Sequence, residues 1–81
     1  MYYKIIDSNK LYICTDMKFD CNRNLLQLIT RQGICRVYNC SPTQYESIRN
    51  QIIMKGYGDI SMLQLNEKLT KSAHNMILEC N

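Results

Sequence analysis

Residues 19–40, FDCNRNLLQLITRQGICRVYNC, read two ways, and the choice decides the fold. As a helix, LLQLI would start from Asp20 or Asn22 as a cap and close at Gly33, which suits a left-handed terminator. As a hairpin, the same apolar run is one short strand and ICRVYN is the next, with Gly33 where a bulged turn wants positive φ. The hairpin is favoured, because the run is short and a second β-branched and aromatic segment follows almost at once.

Upstream the pattern is the same. YYKIID and KLYICTDMK flank the polar pair Ser8-Asn9, a reasonable tight-turn pair since Asn tolerates positive φ. The first forty residues therefore predict a four-stranded antiparallel meander.

After Cys40 the period changes. Ser41-Pro42-Thr43-Gln44 and Ser61-Met62-Leu63-Gln64 repeat one Ser-x-x-Gln pattern. A serine hydroxyl can accept from the backbone N–H of the third helical residue while the Gln amide reaches back to the serine N–H, so both read as capping boxes that start helices. Pro42 fits the first helical position, where a missing N–H costs nothing. The first helix is expected to end near Lys55 with Gly56 as its stop, Tyr57 to Ile60 as the connector, and Tyr45, Ile48 and Ile52 as its apolar stripe. In the second, Met62, Leu65, Leu69, Ala73, Met76, Ile77 and Cys80 fall within about 120° of one another. The expected fold class is α+β: a small antiparallel sheet of two hairpins, about residues 2–40, covered by two C-terminal helices, about 42–55 and 62–80, in one domain spanning 1–81.

At 81 residues the chain can bury only a small core, which argues against an elaborate catalytic cleft. The formal charge of +3 comes from basic residues scattered from Lys4 to Lys71 without a run, a solvated mixed surface rather than a basic stripe. No apolar run approaches the roughly 20 residues of a membrane helix, and Met1 to Lys4 lacks the pattern of a signal peptide, so a cytoplasmic protein is expected. The abundance of Ile, Asn, Lys and Tyr is what AT-rich codons produce, as in phages and mobile elements.

Five cysteines, Cys14, Cys21, Cys35, Cys40 and Cys80, are an odd set, and without a secretion signal they read as reduced thiols packed as small hydrophobes. A zinc site from the first four, or three of them with His74, lacks close Cys-x-x-Cys pairs. No metal and no cofactor are expected. His74, the single histidine, lies off the apolar stripe, and a Cys–His74 dyad has no supporting local signature. Asp7, Asp16 and Asp20 suit local hydrogen bonding, and Gly56-Tyr57-Gly58 lacks the Lys-Ser/Thr of a phosphate loop. The chemistry points away from an enzyme.

Two binding readings remain. Tyr2 with Lys4, and Arg36 with Tyr38, alternate onto strand faces where rings can stack bases and cations hold phosphates. Ile53, Met54, Leu63 and Leu78 point away from the assigned core stripes, a surplus of apolar surface that favours protein binding. The favoured expectation is a small non-enzymatic inhibitor or regulator that masks a surface on a larger protein, with a second copy of the chain as another partner. A nucleic-acid-binding regulator is the alternative.

Overall fold

The computed structural model of the chain describes residues 2–63 and 76–81. Strands β1 (Tyr3–Asp7), β2 (Lys10–Asp20), β3 (Leu25–Thr30) and β4 (Gly33–Tyr38) pair antiparallel in chain order. Residues 19–40 thus hold a hairpin, and the expected meander is present. Helix α1 (Pro42–Lys55) follows, and then come two short strands, β5 (Gly58–Asp59) and β6 (Ile77–Cys80). The sheet order is β5-β1-β2-β3-β4-β6, with β5 parallel to β1 and β6 antiparallel to β4. This overturns the expected sheet covered by two C-terminal helices. The chain is mostly strand, and its last described segment extends the sheet instead of covering it.

Residues paired across a ladder share a face, so the register sorts the side chains. On the inner face Ile5 lies opposite Tyr12, Tyr3 opposite Cys14, Met17 opposite Leu28 and Phe19 opposite Leu26; Cys35 and Val37 continue the rows. Ile5, Cys14, Leu26, Leu28 and Val37 are fully buried there, and each such aliphatic side chain contributes about 1.5–3 kcal/mol. One irregularity makes this possible. Cys14 pairs with Thr30 but Asp16 pairs with Ile29, leaving Thr15 as the extra residue of a β-bulge. The bulge shifts the alternation by one, so that Cys14 and then Met17 and Phe19 face the same way. Thr15 Oγ1 donates to the Ile29 carbonyl at 3.2 Å, occupying an acceptor beside the bulge.

Helix α1 closes this face. Its start is the expected capping box: Ser41 Oγ accepts from Gln44 N at 3.2 Å, and Gln44 Oε1 accepts from Ser41 N at 2.8 Å. Ile48 is fully buried, Tyr45 and Ile52 pack against the core, and Tyr45 stacks on Phe19 with ring centroids 4.4 Å apart. The helix ends at Gly56 (φ 85°), whose N–H reaches the Ile52 carbonyl at 2.9 Å. The chain then turns back to lay Gly58 and Asp59 beside β1, and Gln51 Oε1 on α1 accepts from Asp59 N at 2.8 Å.

The second Ser-x-x-Gln works differently from the first. Residues 60–63 are helical, so Ser61 already lies inside the turn. The cap is Asp59: its Oδ1 accepts from Ser61 N at 3.0 Å, from Met62 N at 3.2 Å, and from the Ser61 hydroxyl. Asp59 holds this role by position, since it precedes the helical residues while Ser61 lies within them, and its charge suits the positive end of the peptide dipoles. Gln64, His74 and the stripe positions Leu65, Leu69 and Ala73 lie outside the described residues. The expected helix over 62–80 is corrected at its far end, where Ile77–Cys80 is a strand: Leu78 and Cys80 face inward opposite Val37 and Cys35, and β6 satisfies the edge of β4. Among the described residues no helix is long and apolar enough to cross a membrane.

A Cβ added at Gly58 would lie 2.9 Å from Ile48 Cγ2 and 3.2 Å from Ile5 Cδ1. Gly58→Ala is therefore expected to destabilise the domain by about 1–3 kcal/mol through overpacking. Urea melts measure this, and a wild-type midpoint would show that the helix can shift freely. In the same assay Ser41→Ala and Asp59→Ala should each cost about 1 kcal/mol, and Ser61→Ala less than Asp59→Ala.

Candidate functional site

The four residues expected to supply surplus apolar surface separate into two pairs. Ile53 and Met54, neighbours near the end of α1, are 73% and 84% exposed. Met54 also lines a shallow groove of about 540 Å³ along the helix, with Thr43, Ser47 and Asn50. Leu63 and Leu78 differ from expectation: both are half-buried and pack against the core, and Leu78 sits on β6 rather than on a helix row. A helical wheel places them outward, whereas Leu78 lies opposite Val37 in a strand register.

Tyr2, Lys4, Arg36 and Tyr38 share the outer face of the sheet but form no single cluster. Lys4 on β1 and Arg36 on β4 have two strands between them, about 14 Å across the sheet at the usual strand spacing, and their rows are also offset along it, at Ile13 and Lys18 of β2. The Tyr2 hydroxyl accepts from Arg31 Nη2 at 3.3 Å. Arg36 is half-buried, opposite Glu79 in register, and donates to Asn81 Oδ1 at 3.3 Å, which ties it to its own edge strand. Between the two pairs lie Ile13, Ile29 and Ile34.

That apolar centre of the outer face is not among the residues expected from sequence, and neither is Arg31 beside it. Leu11 and Ile13 are 52% and 43% exposed, while Ile6, Ile29 and Ile34 are half-buried. A signal was present: KIID and LYIC are apolar at both parities, which a sheet with one wet face does not need.

The cysteines also divide. Against the expectation of five reduced thiols, Cys35 and Cys80 face each other across β4 and β6 and form a disulfide. That pairing removes Cys35 from any zinc set. Cys14 and Cys40 are buried thiols, as small hydrophobes should be, and Cys21 is exposed. Burial disfavours the thiolate and pushes Cys14 from an ordinary value of 9.0 up to about 11, and Cys40 to about 12. Among the described residues no group of three or more His, Cys, Asp or Glu could hold a metal ion. The aspartates do local work: Asp7 Oδ1 accepts from Ser8 N at 2.7 Å, Asp16 Oδ1 from Met17 N at 2.8 Å and Asp20 Oδ1 from Asn22 N at 3.0 Å. Tyr12, under Lys10 at 5.2 Å, has its pKa raised by burial and then by the charge of Asp7.

Comparison of the chain with protein-family models, with curated proteins and with solved structures finds no match.

The thiol geometry sets a countable outcome. Under native conditions a disulfide reagent should modify Cys21 alone; unfolding should release Cys14 and Cys40 as well, and only prior reduction should expose Cys35 and Cys80. Because the crosslink spans 45 residues, reduction is expected to lower stability by about 2–4 kcal/mol, read from melts with and without reductant. The pH dependence has a fixed sign. The two buried thiols hold their protons above the unfolded value of 9.0, so their contribution is fully present below pH 9 and is lost as pH rises toward their folded values of about 11 and 12. Denaturant midpoints that stay flat across this range would contradict the burial.

Proposed function

We propose that this chain is a small non-enzymatic protein-binding module that masks a surface on a larger partner, an inhibitor or regulator of the kind mobile elements carry. The observation that supports it most directly is the exposed pair Ile53 and Met54 on the solvent side of α1. Exposed apolar side chains on a helix lose little when the monomer folds and gain when a partner covers them. Met adds adaptability, because its unbranched thioether fits irregular surfaces. Their position at the helix end, away from Ile48 and Tyr45, leaves the core unaffected by what docks there.

The test compares wild type with the double variant Ile53→Glu/Met54→Glu. Circular dichroism and urea midpoints should be unchanged within about 0.5 kcal/mol, as for exposed positions. Affinity capture from the source cells, after nuclease treatment, should retain a protein on wild type that the double variant loses by at least about tenfold. Leu78→Glu serves as the contrast and should unfold the domain, because it places a charge against the core. If the double variant binds as wild type, while Lys4→Ala or Arg36→Ala removes a salt-sensitive affinity for single-stranded nucleic acid, the regulator of nucleic acid replaces this reading.

A further inference from the structure

β2 outruns its neighbour. It has 11 residues and β3 has 6, and the pairing between them begins only at Cys14. Lys10, Leu11, Tyr12 and Ile13 pair with β1 on one side, and among the described residues nothing pairs with their other edge. In an antiparallel strand alternate residues turn N–H and C=O to opposite sides, so two of these four present their backbone groups to the open edge. Proteins blunt such edges with proline, bulges or rows of charge. This stretch has no proline, its bulge falls beyond it at Thr15, and its one charge is Lys10.

Two clefts flank the open edge, one on each face of the sheet. On the outer face a cleft of about 310 Å³ is lined by Tyr2, Ile13, Thr15, Arg31 and Gln32. On the inner side one of about 340 Å³ has Tyr12, Ile13, Gln32 and the Cys35–Cys80 disulfide among its walls. Ile13 and Gln32 belong to both. A strand laid along Lys10–Ile13 would send successive side chains to opposite faces, and so into the two clefts in turn. Their chemistry differs. Arg31 has no carboxylate partner among the described residues; its one side-chain bond is to the Tyr2 hydroxyl, and no acidic side chain lines the outer cleft. The inner cleft offers sulfur, aromatic and aliphatic walls beside the polar Lys10, Thr30, Gln32 and Asn81.

We propose that the open edge of β2 at Lys10–Ile13 takes an extended segment of a partner protein as an added strand, with an acidic side chain beside Arg31 and an adjoining apolar one against Cys35–Cys80. Backbone hydrogen bonds supply affinity and the two clefts supply selectivity. A carboxylate is selected because a guanidinium binds it through two parallel N–H donors, and no acidic side chain among the described residues lines the outer cleft. The proposal rests on the protein-binding reading but uses a surface separate from Ile53 and Met54.

The probe is a displayed library of random ten-residue peptides, selected against the oxidised chain. Enrichment of an acidic residue next to an apolar one is expected. A synthetic peptide of the selected sequence should shift the backbone amide resonances of residues 10–13. Methylating its backbone nitrogens one at a time should weaken binding at alternate positions only. Arg31 is exposed, so Arg31→Glu should fold normally by circular dichroism, lose at least about tenfold in affinity and, in a repeat selection, prefer a basic residue. Arg31→Gln, which keeps hydrogen-bond donors without charge, should fall between the two and stands in if Arg31→Glu does not fold. The Ile53→Glu/Met54→Glu variant should bind the peptide as wild type does, so failure at one surface is separable from failure at the other. Selection that enriches no such pattern, affinity indifferent to the charge at residue 31, or amide shifts confined to β6 or α1 overturns the proposal. So does concentration-dependent self-association through residues 10–13, which would make a second copy the occupant.

Discussion

Ile48 and Ile5 both close on Gly58, which has no side chain to hold them off, and much of the domain is organised around that approach. Among the described residues α1 is the long helix laid on the inner face of the six-stranded sheet, and it sits close. The close approach brings α1 near enough for Gln51 to accept from Asp59 and for Tyr45 to lie flat on Phe19. It also places β5 beside β1, although β5 is two residues long and has almost no ladder of its own. The short strand is held by the helix above it as much as by the strand beside it. Asp59, fixed in this way, then caps the helical turn that follows.

A second constraint acts along β2. The bulge at Thr15 divides the strand into a part that pairs with β1, Lys10 to Cys14, and a part that pairs with β3, Asp16 to Asp20, with Cys14 alone paired on both sides. Without the extra residue, the inward alternation set by Tyr12 and Cys14 would turn Met17 and Phe19 to solvent, and α1 would lose the ring on which Tyr45 stacks. The bulge therefore serves the core, while the β1–β2 hairpin runs on past the end of β3 and leaves an edge unpaired among the described residues. The clefts at that edge exist because the β3–β4 turn, carrying Arg31 and Gln32, stops short of the hairpin tip.

The outward apolar surfaces lie on the sides of α1 and of the sheet that face away from each other. Ile53 and Met54 lie on its far side, and the apolar centre around Ile13, Ile29 and Ile34 lies on the far side of the sheet. The described helix and sheet each have an outward face, and this chain places apolar groups on both. Charge is arranged differently on the sheet face. Lys18, Gln27, Arg36 and Glu79 form a row across four strands in which Arg36 faces opposite charge, while Arg31 lies apart from any carboxylate among the described residues.

The elements built from nearby residues were readable in the sequence: both hairpins, the Ser41 capping box, the Gly56 stop and the inward set Tyr45, Ile48 and Ile52. Each is decided within a few residues by turn chemistry, capping or side-chain period, so no distant partner was needed. The exposure of Ile53 and Met54 followed from the same local period. Other features depended on partners far along the chain. Met76 to Cys80 satisfies a helical stripe and a strand alternation equally well, and the open edge of β4, with Val37 and Cys35 facing inward, made it a strand. That register also joined Cys35 to Cys80 and turned Leu78 inward, which no helical wheel could show. Ser61 looked like a cap until Asp59 was fixed two residues earlier by Gln51 from α1. The open edge at Lys10–Ile13 and the isolation of Arg31 likewise come from where β3 ends relative to β2, a difference in register between strands that neither strand's own residues encode.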